Sequence, residues 1–93
     1  MSAMASERIA RHYHITGLVQ GVGYRYFARR TGEMLGLAGW VRNLPDGSVE
    51  AYAIGAEQEL LQFEAALRRG PRHAEVREVI VEEAPIDPMV TLF

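Results

Sequence analysis

The sequence has no cysteine among its 93 residues. That excludes a disulfide framework, a thiolate nucleophile and any cysteine-based metal site. It has no excess of basic side chains either. Ten Lys and Arg residues against twelve Asp and Glu leave a net charge of −2, which offers no electrostatic footprint for nucleic acid. No apolar run approaches the roughly 20 residues of a membrane span. Met1 to Arg8 lacks the apolar core of a signal peptide,. A cytoplasmic protein is the expectation. The sequence also shows no linker and no low-complexity segment.

What is present is one small domain with an ordinary hydrophobic fraction of 48%,. A chain of this size buries about 60% of its unfolded surface, enough for a modest core. Residues 1–8 are small and polar and read as a disordered N-terminal tail, with the domain spanning 9–93,.

The chain is organised around Gly17 to Arg25, which reads G-L-V-Q-G-V-G-Y-R. Ile9 to Thr16 before it alternates as a strand, with Tyr13 and Ile15 on the buried face and His12 and His14 on the other,. Two histidines on one face make a two-ligand metal site conceivable, but no third ligand is placed, so they read as residues of an exposed sheet face. Tyr24 to Leu35 after it has a helical stripe of Phe27, Ala28, Thr31, Met34 and Leu35, closed by Gly36 as a left-handed cap,. Gly17, Gly21 and Gly23 therefore sit where a strand turns into a helix. Successive N–H groups at such a bend, backed by a helix N-terminus, cradle an anion. Arg25 falls in the first helical turn, where the macrodipole disfavours a cation by roughly 0.3–1 kcal/mol. A bound anion between the amides and the guanidinium would offset that cost, and a planar Arg fork suits phosphate. Two commoner phosphate motifs are excluded. A Walker A loop needs Gly-Lys-Ser/Thr where Gly23-Tyr24-Arg25 stands, and a dinucleotide fingerprint needs glycine where Tyr26 stands,.

The rest of the chain supplies four more elements. Leu37 to Asn43 and Ser48 to Ile54 read as a hairpin closed by Leu44-Pro45-Asp46-Gly47,. A second helix opens at Gly55 or Ala56, buries Leu60, Phe63 and Leu67, carries Glu57 and Glu59 at its start and Arg68 and Arg69 at its end, and stops at Gly70-Pro71,. Its charges obey the dipole rule at both ends, which makes Arg25 more telling. Ala74 to Glu83 is a fourth strand with Val79 and Val81 inward. Met89 to Phe93, after Pro88, reads as a short fifth strand at an edge,. The order β-α-β-β-α-β gives an α+β, ferredoxin-like split βαβ sandwich with both helices on one face of a mainly antiparallel sheet. Right-handed crossovers put the first strand in the middle.

Two stretches together carry a family resemblance. Gly17 to Arg25 resembles the first signature of acylphosphatases. Gly39 to Gly55, G-W-V-R-N-L-P-D-G-S-V-E-A-Y-A-I-G, resembles the second, with its Gly, Trp, Asn, Gly, Val and final Gly in the family's spacing. The resemblance runs through nearly the whole chain, from Ala10 to Phe93. It implies hydrolysis of the carboxyl–phosphate bond of a small-molecule acyl phosphate, with inorganic phosphate as product and inhibitor. It implies that Arg25 binds the phosphoryl group and Asn43 holds the attacking water. The backbone N–H groups of Gln20, Gly21, Val22, Gly23, Tyr24 and Arg25 would form the cradle. It implies that metal and cofactor are not needed; a monomer is expected, and the charge balance and lack of long apolar runs argue against nucleic acid and membrane as partners,. The competing readings are a non-catalytic anion-binding module on the same fold and an RNA-binding ferredoxin-like domain. The second needs basic charge and a pattern of sheet-face aromatics that the sequence lacks.

Overall fold

Alternation, helical stripes and turn residues resolve into six elements in the computed structural model, which describes residues 7–93. They are β1 (Arg8–Leu18), α1 (Tyr24–Met34), β2 (Ala38–Asn43), β3 (Val49–Ala56), α2 (Glu57–Arg69) and β4 (Glu75–Ala84). The expected tail lies mostly outside the described residues; Arg8, assigned to it, opens β1. The sheet order is β2-β3-β1-β4 with every neighbouring pair antiparallel. β1 is therefore interior, as the two crossovers require. Among the described residues no helix is long and apolar enough to cross a membrane.

Period-two alternation divides the sheet between two environments. Tyr13, Ile15, Val49, Ala51 and Ala53 join Tyr24 and Ala28 of α1 and Leu60, Phe63 and Leu67 of α2 in the main core. The small side chains of Ala51 and Ala53 are fully buried there, leaving room for the helices to approach the sheet. Tyr13 and Phe63 meet edge to face at 5.3 Å, the geometry that aromatic quadrupoles favour. On the other side Ala10, Ala38, Tyr52 and Ile54 form a second cluster, with Trp40, Ala84 and Val90 packed on it. Trp40 stacks on Tyr52 at 5.7 Å.

Two expectations need correction. The buried row of α1 is Tyr24, Ala28 and Gly32, rotated from the expected stripe. Met34 is 77% exposed. Tyr24 explains the rotation: its hydroxyl donates to the Leu67 carbonyl at 2.7 Å and draws a large ring inward. Gly32 completes the row because a Cβ there would lie 2.5 Å from the Phe93 ring. Two residues past Gly32, Met34 is about 200° round the helix and faces solvent. The helix ends as expected in a Schellman motif, with Gly36 at φ 73°, Leu37 N–H donating to the Gly32 carbonyl at 2.9 Å and Gly36 N–H to that of Glu33 at 3.1 Å,.

The expected fifth strand, Met89 to Phe93, does not form. No strand follows Ala84. Only one hydrogen bond, Gly39 N–H to the Leu92 carbonyl at 3.1 Å, joins this segment to the edge of β2. Pro85 and Pro88 have no N–H for a ladder. Asp87 turns the chain by accepting from the N–H groups of Met89 and Val90. The Tyr52 hydroxyl fastens that turn, donating to the Pro85 carbonyl and accepting from Asp87 N–H. Side-chain packing of Val90 and Phe93, rather than a ladder, holds the segment.

Candidate active site

The site begins where β1 bends away from β4. Register shifts between Thr16 and Gly17, a bulge that ends regular pairing. Gly17 has φ 127°, and a Cβ there would stand 2.1 Å from the Glu75 carbonyl oxygen, so backbone passes where a side chain cannot. Beyond it the loop turns through Gly21 and Gly23, at φ 75° and 79°, with open space around both. Glycine is required at these two positions for conformation rather than for room.

Gly23 is the N-cap of α1. It provides no side-chain cap, and the first turn contains no acidic residue. The N-terminal amides of a helix are orphan donors unless something caps them. The second helix shows the ordinary solution, with Glu57 and Glu59 in its first turn. At α1 the first turn instead presents Arg25, exposed and without a hydrogen bond or ion pair among the described residues. An uncapped positive helix end with an unengaged guanidinium is a site for an anion.

Asn43 reaches the same place from β2, two strands away from β1 in the sheet. It is the last residue of β2, paired with Val49, and its side chain is exposed. Gln20, Gly21, Gly23, Arg25 and Asn43 all line one open pocket of about 210 Å³. That is small for a drug-sized ligand and suits a compact head group. No His, Asp or Glu lines it.

The loop and the hairpin are held together by Gln20. Its amide nitrogen donates to the Leu44 carbonyl at 2.8 Å and to the Ser48 carbonyl at 2.8 Å. Two carbonyl acceptors fix which end of the amide is nitrogen, because only the NH₂ can donate twice. The hairpin end is itself stiffened. Asp46 accepts from both the N–H and the hydroxyl of Ser48, and those bonds hold its carboxyl below the usual range. Asp46 is thus a turn residue. A glutamine in the first motif therefore sets the position of the asparagine in the second. Sequence reasoning placed Gln20 in the cradle through its backbone and missed this bridge, which spans 24 and 28 residues and leaves no local pattern.

The other residues assigned to the cradle divide. Val22 does not line the pocket and packs half-buried against the main core. Tyr24 does line it, but its hydroxyl is committed to Leu67 and burial pushes the phenol's pKa up. Tyr26, not assigned from sequence, lines the pocket with 69% exposure. The only signal for it was an aromatic on the outer face of α1.

His12 and His14 of β1 lie on the sheet face away from the helices. His12 Nε2 meets Glu50 Oε2 at 2.5 Å, and Glu50 Oε1 accepts from Arg42 at 2.6 Å. The hydrogen bond to His12, followed by that to Arg42, holds the Glu50 carboxyl below its ordinary range. His14 Nε2 contacts the Ser48 hydroxyl at 3.0 Å. Neither lines the pocket, and no group of three or more His, Asp or Glu side chains among the described residues is placed to hold a metal.

The sequence model of the acylphosphatase family matches residues 11–93. The chain belongs to the acylphosphatase family. Curated members agree along its length. The acylphosphatase of Solibacter usitatus is 49% identical over 77 residues, which are 83% of this chain and 80% of that one. The acylphosphatase of Archaeoglobus fulgidus is 49% identical over 79 residues, 85% of this chain and 89% of that one. Among solved structures, the acylphosphatase of Coxiella burnetii superposes with a TM-score of 0.83 at 36% identity, covering 86% of this chain and 84% of its own. The two helices on a four-stranded antiparallel sheet are thus the fold of this family.

Proposed function

We propose that this protein is an acylphosphatase that hydrolyses the carboxyl–phosphate bond of acyl phosphates by direct attack of water on phosphorus. One observation carries the reading: an uncapped helix start, the unengaged Arg25 and Asn43 share a single pocket. Family membership supports it independently.

The phosphoryl group rests on the N–H groups of Gln20, Gly21, Gly23, Tyr24 and Arg25, with the Arg25 guanidinium against its oxygens. Charge spreads over those oxygens as the bond to the acyl oxygen loosens, and fixed donors stabilise it without reorganising. Asn43 can donate and accept, so it orients water without being a base. The water oxygen bonds to phosphorus as the P–O bond to the acyl group breaks. The carboxylate leaves with that electron pair. The pocket lining has no carboxylate or imidazole, so the water's proton passes to a phosphoryl oxygen of the substrate itself. Acid catalysis is dispensable because a carboxylate is already a good leaving group. The same reading takes the protein to act as a monomer in the cytoplasm on a free small molecule, with inorganic phosphate as product and competing ligand.

The test is phosphate release from acetyl phosphate in the presence of a chelator, with phenyl phosphate as a monoester control. Turnover of the first and not the second is expected. Binding of inorganic phosphate without turnover of acetyl phosphate would favour a non-catalytic anion-binding module instead.

A further inference from the structure

The phosphate pocket has a neighbour across Gly23 and Tyr26. A second, larger hollow of about 390 Å³ begins at the same two residues, Gly23 and Tyr26, and runs along the outside of α1. Phe27, Thr31 and Met34 form its floor, following one another at helical spacing. Arg30 and Pro71 form its sides, the latter from the connection between α2 and β4. Two of the exposed large apolar side chains of the protein, Tyr26 and Met34, lie on this one groove. Their side chains give the groove a mainly apolar lining.

We infer that this groove receives an apolar acyl chain of the substrate, so that the site prefers medium-length unbranched acyl phosphates to acetyl phosphate. The inference rests on the proposed hydrolysis and extends it to substrate class. Adjacency names the occupant: the groove shares Gly23 and Tyr26 with the phosphate pocket, so a group bonded to the bound phosphoryl lies next to it. Direction agrees. In-line displacement puts the leaving group opposite the attacking water. Asn43, which holds that water, lines the phosphate pocket but not the groove, and no residue of β2 lines it. The departing acyl group is therefore sent along α1, away from the hairpin. Phe27 and Met34 are separated by about 10 Å of helix, enough for a chain of several carbons. Arg30 has no ion-pair partner among the described residues, and its methylene stem can lie along the chain while its charge stays in water.

The experiment compares kcat/KM for acetyl, butyryl and hexanoyl phosphate in the wild type and in Met34→Gln. Met34 is exposed and outside the phosphate pocket, so the variant should fold and should hydrolyse acetyl phosphate at the wild-type rate. Burial of a methylene at about 0.8 kcal/mol corresponds to a gain of up to about fourfold, and roughly twofold in a groove open on one side. Wild-type kcat/KM should climb by two- to fourfold per added methylene. Met34→Gln should lose most of that gain at hexanoyl phosphate. Equal kcat/KM across the series, or a gain that survives in Met34→Gln, overturns the groove while leaving the hydrolase intact. No turnover of acetyl phosphate by the wild type overturns the hydrolase reading, and the groove falls with it.

Discussion

Replacing Gln20 with leucine separates the two halves of the candidate site without touching Arg25 or Asn43. The side chain is similar in size, and two hydrogen bonds of 2.8 Å are lost. A neutral intramolecular hydrogen bond contributes about 0.5–1.5 kcal/mol net. Neither carbonyl is orphaned, however. Ser48 O still accepts from Leu44 N–H at 2.9 Å and Leu44 O from Gly47 N–H at 3.2 Å. No further desolvation penalty is added, so the loss is about 1–3 kcal/mol. For a domain of this size each kcal/mol lowers Tm by about 4–8 °C, which puts the centre of the range near 8–16 °C. The effect on rate should be larger than on phosphate binding, because Asn43 is no longer held against the loop. Misplacement of a catalytic group by about 1 Å costs on the order of 100-fold. Gln20→Glu should be worse than Gln20→Leu, since it sets a carboxylate against two carbonyl oxygens. Thermal denaturation by circular dichroism and kcat for acetyl phosphate decide the matter. If Gln20→Leu melts within about 2 °C of wild type and keeps its kcat, the bridge does not hold the site together.

Three further outcomes are expected. Asn43→Ala should lower kcat far more than it weakens inorganic phosphate binding measured by calorimetry; equal losses would remove it from the water. Tyr13→Phe should raise Tm, because the Tyr13 hydroxyl is buried with no hydrogen-bond partner among the described residues and leaving it unpaired costs about 1–3 kcal/mol; a lower Tm would show that the hydroxyl is satisfied. Glu50→Gln should destabilise in a pH-dependent way. The folded-state pKa of Glu50 is depressed, so its contribution is present above the ordinary carboxylate value and disappears as pH falls through the lower folded one. The Tm difference from wild type should be full at pH 7 and shrink as pH falls below the ordinary carboxylate value, and a difference that grows in acid would refute the assigned partners.

The legible parts of this chain were those governed by local rules. Strand alternation put Tyr13 and Ile15 inside, and helical spacing put Leu60, Phe63 and Leu67 inside. The position of Gly36 gave the end of α1, and the breach of the dipole rule at Arg25 marked a residue that lines the candidate pocket. The rest depends on partners far away in sequence. Met34 sits at a buried period of α1, but the helix is rotated by an anchor 43 residues off, where Tyr24 meets Leu67. Met89 to Phe93 has strand-forming residues, yet packing of Phe93 over Gly32 and the missing N–H groups of two prolines prevail over pairing. Gln20 shows the same limit at the site, since its bridge is settled only once the hairpin folds beside the loop.

The account rests on charge stabilisation by residue 25, and hydrolysis of acetyl phosphate by Arg25→Gln tests it most directly. Arg25 is exposed and unpaired among the described residues, so the variant should keep the wild-type circular dichroism spectrum and a Tm within a few degrees. Loss of an arginine that stabilises a phosphoryl transition state costs about 10³-fold or more in kcat, and the variant should fall by that much. A folded Arg25→Gln protein that turns over acetyl phosphate at near the wild-type rate would contradict the account.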